Sequence, residues 1–333
     1  MKKFTTSNHY LSVLLGQVVA KGFDPNEVLR KADIPEELVH APHARIPVDK
    51  LAKVVQGTWE VLQDEYLGFT LTPGKIGTLY LMGKLAIHEP NLEKALKIAI
   101  RYYRTIETNY QIDLIKEGDE GRLVFTLNNP ELDPHHLFSE FLMIVWHRFF
   151  SWLVGKYILL GHTTFSYPPP TQVDEYKFLF PGNQSFDQPV TSLSFHKTYL
   201  QLPVIQSESA LKEYFHRTPI DILVKLENDD SFSTRIRLMI ETQMEQGFPD
   251  FTIVASAFNM APQTLRRKLA LEGTPYQAIK DNIRRDFAIF HLTQRYLPIN
   301  EIALKVGFTE PGAFIRAFKS WTGVTPGDYR RID

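Results

Sequence analysis

Residues 252–255 read Thr-Ile-Val-Ala, and residues 262–269 read Pro-Gln-Thr-Leu-Arg-Arg-Lys-Leu. The same pattern returns as Asn-Glu-Ile-Ala at 300–303 and as Pro-Gly-Ala-Phe-Ile-Arg-Ala-Phe-Lys at 311–319. In each copy an alanine lets two helices approach closely, and a residue that tolerates a left-handed backbone follows four positions later. Each copy therefore predicts two short helices joined by a tight turn, which is a helix-turn-helix motif.

The second helix of each motif, named here the first and the second reading helix, has a regular apolar period. Leu265 and Leu269 are four residues apart in the first reading helix, and Phe314 and Phe318 are four apart in the second. Apolar residues at this spacing lie on one face of a helix. We therefore expect each pair to be buried in the core of its motif.

Local preferences predict the turns and the helix starts. Asn259 and Gly307 are expected to take the left-handed conformation at the two turns. Thr252 and Asn300 are good N-caps for the helices that precede these turns. Ala261 stands at the N-cap of the first reading helix, where it cannot accept a hydrogen bond.

A long connecting helix is predicted between the two motifs, from Pro275 to Tyr296. An apolar stripe runs along it from Ile279 to Phe290, and Pro298 ends it. Twenty-odd residues at about 1.5 Å each span roughly 30 Å, which is close to the ~34 Å repeat of B-DNA. A rod of that length could place the two reading helices in successive major grooves on one face of the duplex.

Polar side chains on the first reading helix indicate base recognition. Arginine binds guanine through two hydrogen bonds, and glutamine binds adenine in the same way. Gln263, Arg266 and Arg267 lie opposite the apolar pair and are therefore candidates for base reading. The alternative is that these side chains are only solvated or contact phosphates.

The second reading helix has a mostly apolar front. Ala313 is suited to contact a thymine methyl group, whereas Arg316 and Lys319 are suited to hold phosphate. Arg284 and Arg285 on the connecting helix are candidate phosphate contacts, and a solvated face is an equal alternative. The expected DNA contacts on the two reading helices are Gln263, Thr264, Arg266, Arg267, Lys268, Ala313, Arg316 and Lys319.

These motifs resemble the DNA-binding domain of AraC-family transcription regulators over about the last hundred residues. Two motifs at this spacing are far more specific than one. The resemblance implies sequence-specific DNA binding and base-facing positions for Gln263, Arg266 and Arg267. Family members often carry Ser, Gln or Thr on the second reading helix, so its apolar front leaves base reading by this copy open. The resemblance rests on Val254-Ala255, Thr264-Leu265-Arg266-Arg267, Ile302-Ala303, Gly307-Phe308, Phe314-Ile315-Arg316-Ala317-Phe318-Lys319, Gly323-Val324-Thr325-Pro326 and Tyr329-Arg330.

The charge of the chain is unevenly distributed. Residues 231–333 carry 14 Lys and Arg against 10 Asp and Glu, whereas the rest carries 23 against 28. A mildly basic end on an acidic body indicates a polyanion partner at that end. The 333 residues contain no cysteine, which excludes disulfides, thiolate nucleophiles and cysteine metal sites and fits a reducing cytoplasm.

The N-terminal part of the chain changes from helical periods to strand periods. Alternation at 110–115 and 123–127 predicts a β-hairpin. The apolar stretch at 134–154 contains charged residues and therefore predicts a buried helix rather than a membrane span. Residues 158–167 and 190–195 are candidate strands.

This order of elements predicts an α+β domain followed by an all-α double helix-turn-helix domain. We place the α+β domain at residues 1–218, a linker at 219–230 and the DNA-binding domain at 231–333. The α+β domain does not match an all-β cupin barrel. It resembles instead the other AraC-type sensor domain, in which a helical start precedes an α/β core.

Aromatic residues of the α+β domain are candidates for an effector pocket, although such residues at helical spacing more often form core. The four candidates are Tyr102, Tyr103, Trp146 and Phe150.

Other polar clusters give weak signals. Adjacent His135 and His136 point apart on a helix and have no spaced partner, so no metal site is predicted. Ser139, Glu140 and His147 lack the motif of a hydrolytic site, so neither catalysis nor a cofactor is predicted.

Together these patterns predict a cytoplasmic, sequence-specific transcription regulator that a small-molecule effector controls, and not an enzyme. The expected partners are double-stranded promoter DNA, the effector, a second copy in a homodimer and RNA polymerase, with no membrane. The direction of control, activation or repression, stays open. One alternative is a constitutive DNA-binding protein whose N-terminal domain only dimerises, and a more distant one is an enzyme with a DNA-binding tail.

Overall fold

The structure is a computed structural model and describes residues 5–41, 44–106, 109–219, 232–242, 248–272, 274–293 and 297–332. It divides into a helix-turn-helix unit (Met1–His9, Asp33–Val48 and Asp230–Asp333) and a sheet unit (Tyr10–Ala32 and Asp49–Asp229). The helix-turn-helix unit thus includes two N-terminal segments that the predicted boundaries did not assign to it. The predicted linker lies outside the described residues except for Pro219.

Mixed helices and strands precede a purely helical C-terminal part, so the predicted fold class is confirmed. In chain order the elements are β1 (Thr5–Ser7), α1 (His9–Ala20), α2 (Pro25–Ala32), α3 (Glu37–His40), β2 (Arg45–Pro47), α4 (Val48–Leu62), α5 (Thr78–Ala86), α6 (Leu92–Ile106), β3 (Tyr110–Glu117), β4 (Glu120–Leu127), α7 (Leu137–Leu153), β5 (Leu160–Thr164), α8 (Val173–Leu179), β6 (Asn183–Ser185), β7 (Thr191–His196) and α9 (Glu208–Arg217). The C-terminal part adds α10 (Phe232–Thr242), α11 (Phe251–Ala257), α12 (Pro262–Leu271), α13 (Tyr276–Thr293), α14 (Ile299–Lys305), α15 (Pro311–Thr322) and α16 (Pro326–Ile332).

The sheet unit contains one five-stranded sheet in the order β3-β4-β7-β5-β6. Its neighbouring strands are antiparallel except β5 and β6, which run parallel. The predicted hairpin is confirmed as β3 and β4, with Tyr110 opposite Leu127 and Glu117 opposite Glu120. Gly118 has a φ of 56°, which permits the two-residue turn of Gly118 and Asp119.

Helix α7 lies in the core of the sheet unit. Fifteen of its 17 residues are buried, because the helix is apolar on nearly every side. Its buried polar side chains have partners: Glu140 accepts a 2.5 Å hydrogen bond from the Tyr176 hydroxyl, and His147 Nε2 lies 2.7 Å from the Ile158 carbonyl oxygen. The prediction of a buried helix is confirmed. Within the described ranges no helix is long and apolar enough to span a bilayer.

Each helix-turn-helix motif has its own apolar core, and α13 contributes to both. Ile279 and Ile283 are buried in the first core, and Ala288 and Ile289 are buried in the second. Phe287, between them, packs against both cores. Because an 18-residue helix is about 27 Å long, α13 acts as the predicted rod between the motifs. The predicted core residues are all buried: Leu265, Leu269, Phe314 and Phe318.

A short antiparallel ribbon, β1 paired with β2, packs within the helix-turn-helix unit. The Tyr329 hydroxyl of α16 accepts a 2.9 Å hydrogen bond from the Arg45 backbone N–H and donates a 2.8 Å bond to the Arg45 carbonyl. Thr5 Oγ1 donates to Asp286 of α13 at 2.7 Å. These partners are 281 and 284 residues apart, and the strands have three residues each, so sequence patterns did not predict the ribbon.

The predicted N-caps Thr252 and Asn300 are wrong. Helix α11 begins directly after Asp250 and α14 directly after Pro298, so both predicted caps lie inside their helices. The helices start earlier because the first residue of each is apolar and packs against the core of its motif. Neither start has a side-chain cap hydrogen bond.

Candidate functional site

The first reading helix, α12, presents the predicted base-reading side chains on one exposed arc. At about 100° per residue, Gln263 and Arg267 fall opposite Leu265 and Leu269, and Arg266 lies on the flank, about 80° from the leucine pair. The three polar side chains are exposed, and the two leucines are buried. The fold therefore brings together the side chains that sequence reasoning assigned to base recognition.

Gln263 and Arg267 are available to an outside partner. Neither side chain makes a hydrogen bond, an ion pair or a ring contact with any other described residue. A glutamine amide and a guanidinium both have the paired hydrogen-bonding groups that match base edges in the major groove. These two residues are the strongest candidates for sequence reading on α12.

Arg266 and Lys268 of α12 contact aromatic rings of neighbouring helices. The Arg266 guanidinium lies 5.3 Å from the centroid of the Phe251 ring, and Lys268 Nζ lies 4.7 Å from that of the Phe232 ring. A cation–π contact orients a long side chain without removing its charge. Thr264 and Lys268 are half-buried at the edges of the exposed arc. Arg266 is therefore positioned on the arc by Phe251.

The second reading helix, α15, has a different surface. Gly312 and Ile315 stand where the first reading helix has a glutamine and an arginine, and both are exposed. Arg316 and Lys319 are exposed on the same arc, whereas Ala313 is half-buried at its edge. The arc keeps one arginine, Arg316 at the position of Arg267, and adds Lys319, but it lacks the glutamine and the second arginine of the first arc.

Arg284, a candidate phosphate contact, braces the turn of the second motif. Its guanidinium lies between the rings of Phe248 and Phe308, 4.7 Å from each centroid, and donates to the Gly307 carbonyl at 3.1 Å. Gly307 has a φ of 79°, and a Cβ there would approach Phe248 to 2.7 Å, so the turn requires glycine. Asn259 at the first turn has a φ of 54°, as predicted. Phosphate contact by Arg284 stays a prediction.

Arg285, the other candidate phosphate contact, belongs to a buried ion network. Asp286 of α13 pairs with Arg285 at 3.2 Å and with Arg237 of α10 at 2.8 Å, and it also accepts the Thr5 hydrogen bond. Burial opposes ionisation, yet the guanidiniums of Arg285, Arg237 and Arg45 hold the pKa of Asp286 below its usual range. The network fixes α10, α13 and β1 to each other, and phosphate contact by Arg285 stays a prediction.

A cavity of about 360 Å³ lies inside the sheet unit, between residues of α4, α5 and α7. Of the four predicted pocket residues, Tyr103 and Trp146 line it, whereas Tyr102 and Phe150 do not. Tyr102 packs edge-on against Tyr103, with 5.4 Å between ring centroids. Phe150 borders a separate space of about 10 Å³, enough for about one water molecule.

Sequence reasoning missed Glu65 and Trp59 at this cavity. The Glu65 carboxylate accepts hydrogen bonds from the backbone N–H groups of Gly77 at 2.6 Å and Leu79 at 3.0 Å. Burial raises the pKa of Glu65 to about 7, although these N–H groups oppose the shift. The Trp59 indole donates to the Glu65 carbonyl at 3.1 Å. These residues come from α4, α5 and the loop between them, so no spacing marks them in the sequence.

The polar residues considered for catalysis have separate structural partners. Ser139 Oγ donates to Asp133 at 2.9 Å, and His147 contacts the Ile158 carbonyl. In the part of the chain that the structure describes, no group of three or more His, Asp and Glu is placed to hold a metal ion.

Two helix-turn-helix motifs on one connecting rod, with a polar reading arc, define a DNA-binding protein. Residues 22–204 match the model of the arabinose-binding N-terminal domain of AraC transcription regulators, and residues 254–332 match a helix-turn-helix model. Since the first match covers more than half of the 333 residues, the chain belongs to the AraC family. It is a sequence-specific DNA-binding transcription regulator, and the resemblance drawn from its motifs is confirmed.

Similar proteins include other bacterial regulators. The chain is 27% identical over 322 residues to the ornithine utilization regulator of Pseudomonas aeruginosa, covering 96% of this chain and 95% of that protein. It is 27% identical over 159 residues to the dual transcriptional regulator Rns of Escherichia coli, covering 44% of this chain and 59% of Rns. The solved structure of the regulator CdpR from Pseudomonas aeruginosa aligns over 98% of both chains, with 17% identity and a TM-score of 0.34.

Proposed function

We propose that a small molecule bound in the cavity of the sheet unit controls DNA binding by the helix-turn-helix unit. The observation that carries the proposal is the cavity itself, which has about 360 Å³ and a mainly aromatic and aliphatic lining with polar groups among it. Cavities of this size and composition are typical of small-molecule sites. The description of the matching domain model as arabinose-binding also supports a ligand-binding role.

The backbone connects the cavity directly to the DNA-binding unit through α4 and β2. Helix α4 supplies Gln56, Trp59 and Glu60 to the cavity lining and begins at the residue after β2. The backbone of β2 is held by the hydroxyl of Tyr329 on α16. A ligand that favours one position of α4 would therefore favour one position of the strand attached to the DNA-binding unit.

We assign base reading to Gln263, Arg266 and Arg267 of α12 and phosphate binding to Arg316 and Lys319 of α15. The assignment is supported by the exposed directional side chains on the first arc and by Gly312 and Ile315, which replace two of them on the second. Thr264, Lys268 and Ala313 are placed at the edges of these arcs, where they would contact the sugar–phosphate backbone or base methyl groups.

The protein is proposed to act in the cytoplasm as a homodimer that binds two half-sites in a promoter and contacts RNA polymerase. A second copy would double the DNA contacts, and the separation of half-sites would follow from the symmetry of the dimer. Sedimentation with and without a promoter fragment checks this: we expect two chains per DNA duplex, and a stoichiometry of one contradicts the dimer.

The effector proposal is tested by measuring DNA affinity while ligand is added to the full chain. Thermal-shift screening first identifies compounds that bind, with L-arabinose included for the arabinose-binding domain model and ornithine for the ornithine utilization regulator. We expect a binding compound to change the Kd for promoter DNA by about 5-fold or more. A compound that raises the melting temperature but leaves the DNA affinity unchanged would support the rival function, a constitutive regulator with a dimerisation domain. Chemical turnover of the compound would support an enzyme with a DNA-binding tail.

A further inference from the structure

The charges around the cavity of the sheet unit have one sign. Among the described residues, 18 line it; they include two glutamates, Glu60 and Glu65, and no lysine, arginine or histidine. Among the described residues, a ligand with a carboxylate or a phosphate would therefore meet no cation in the lining to pair with it, which is unfavourable. The lining charge favours a ligand that is positive.

The two glutamates are not equivalent. Glu60 is exposed, and its carboxylate is already paired with Lys31 Nζ at 2.9 Å and with Gln56 Nε2 at 3.1 Å. Glu65 is bound only by the backbone N–H groups at the start of α5, and within the described residues it has no cationic partner. Each oxygen of Glu65 retains a lone pair for a further donor. Glu65 is thus the carboxylate that a bound cation could neutralise.

Aromatic rings surround the rest of the cavity. Eight of the 18 lining side chains are aromatic, among them Trp59, Tyr66 and Tyr103. The faces of such rings attract cations and accommodate apolar groups. The structure fixes Trp59 next to the acid, because its indole N–H donates to the Glu65 carbonyl.

We propose that the cavity binds a small organic cation, an amine on an apolar body, with its charge beside Glu65 and its body against the aromatic rings. The inference rests on the proposed function only in taking this cavity as the effector site. A neutral sugar is disfavoured because it carries no charge to neutralise Glu65, and amide N–H groups of Gln56 and Gln63 are already bonded to Glu60.

The test compares three molecules of similar shape that differ in charge. Calorimetric titrations of the full chain use 3-phenylpropylamine, the neutral 3-phenyl-1-propanol and the anionic 3-phenylpropionate, with L-arabinose as a neutral polyol. We expect the amine to bind at least tenfold more tightly than the alcohol, and the anion to bind most weakly. Equal binding of amine and alcohol, tighter binding of the anion or the sugar, or no measurable binding of the amine would overturn the proposal.

Charge variants of the two glutamates locate the interaction. Glu65→Gln keeps the shape of the side chain and should reduce the affinity for the amine at least tenfold, with little change for the alcohol. Glu60→Gln is the matched control at the rim and should change the affinity less than threefold. If the two variants weaken amine binding equally, or if Glu65→Gln weakens amine and alcohol alike, Glu65 is not the recognition group.

A pH series separates charge recognition from structural damage. The bound cation pairs with the ionised form of Glu65. Because burial raises the pKa of Glu65 to about 7, the affinity for the amine should rise about tenfold from pH 6 to pH 8. The rise should be absent for the alcohol and for Glu65→Gln, and a flat profile for the wild-type chain contradicts the proposal. DNA affinity measured in the same samples tests effector control separately, because the amine could bind as expected and still leave DNA binding unchanged.

Discussion

Glu140 shows how a single buried carboxyl shapes the pH dependence of the fold. Burial raises its pKa to about 8, although the hydrogen bond from Tyr176 and the nearby Tyr10 hydroxyl oppose the shift, and the nearby carboxylates of Asp133 and Glu175 raise it further. The folded protein therefore keeps a proton that the unfolded chain releases above its ordinary glutamate pKa near 4.5. Its contribution to stability is complete below about pH 4.5 and is lost progressively as the pH rises through 8.

We expect Glu140→Gln to flatten this dependence. Melting temperatures of the wild-type chain should fall from pH 5 to pH 8, and the variant should lose the larger part of that fall. Glu65 adds a smaller effect of the same sign, since its pKa is raised to about 7, so Glu65→Gln provides the comparison. A fall that is as steep in Glu140→Gln as in the wild-type chain would mean that this carboxyl does not retain its proton.

The start of α12 allows a stabilising substitution. Ala261 occupies the N-cap with an extended backbone, and no side chain caps the helix. Ala261→Ser supplies a hydroxyl acceptor and should stabilise the helix-turn-helix unit by ~1 kcal/mol. Ala270→Ser, at an exposed position in the last turn of the same helix, is the matched control and should be neutral or slightly destabilising. The measurement is the denaturant midpoint of unfolding for each variant. Equal shifts of the midpoint in Ala261→Ser and Ala270→Ser would contradict a capping role.

At the scale of elements, the β1–β2 ribbon is the part of the DNA-binding unit that sequence reasoning did not place there. The C-terminal fragment 231–333 has two complete apolar cores of its own, so we expect it to fold and to bind DNA at low salt. It lacks Thr5 and Arg45, the ribbon partners of Asp286 and Tyr329. The fragment should therefore be less stable than the same unit in the full chain. A fragment that is unfolded, or that does not bind DNA at low salt, contradicts this expectation.

The Tyr329 hydroxyl isolates the contribution of the ribbon. In the full chain Tyr329→Phe removes two hydrogen bonds to the buried Arg45 backbone and should destabilise the unit by about 1–2 kcal/mol. In the fragment 231–333 these partners are absent, so the same substitution should have little effect. Urea unfolding is measured for the wild-type sequence and for Tyr329→Phe, in the full chain and in the fragment. An equal loss of stability in the full chain and in the fragment would show that the ribbon contact does not contribute.

Elements that are determined by nearby residues could be predicted, whereas elements that depend on distant parts of the chain could not. The reading helices, the turns at Asn259 and Gly307 and the hairpin follow from apolar period and backbone preference within about 20 residues. The ribbon could not be predicted, because its strands are stabilised by Tyr329 and Asp286 at the far end of the chain. The helix starts were misplaced for a related reason: tertiary packing of an apolar first residue outweighed the local capping preference.

At the scale of the whole molecule, the DNA-binding surface was more predictable than the cavity. The reading residues lie on one helix, so a helical period alone groups Gln263 with Arg267. The cavity combines residues from α4, α5, α6 and α7, and its acid, Glu65, comes from a loop. Tyr103 and Trp146 were found because aromatic residues were numerous there, but no pattern distinguished a lining ring from a core ring such as Phe150.

The central claim is that the first motif reads sequence and the second holds the DNA backbone. A randomised-site selection with the full chain and with three variants, Arg266→Ala, Arg267→Ala and Lys319→Ala, tests it most directly. Removing a base contact costs about 1–3 kcal/mol and relaxes the preference at one base pair, whereas removing a phosphate contact weakens all sequences alike and lowers the salt slope by about one.

We predict that Arg267→Ala and Arg266→Ala change the selected sequence, and that Lys319→Ala lowers affinity nearly uniformly with the selected sequence retained. The change in the selected sequence should be larger for Arg267→Ala than for Arg266→Ala. Within the described residues Arg267 has no intramolecular partner, whereas Arg266 stacks on Phe251. If both arginine variants select the wild-type site and lose only affinity, the assignment of sequence reading to the first motif is wrong.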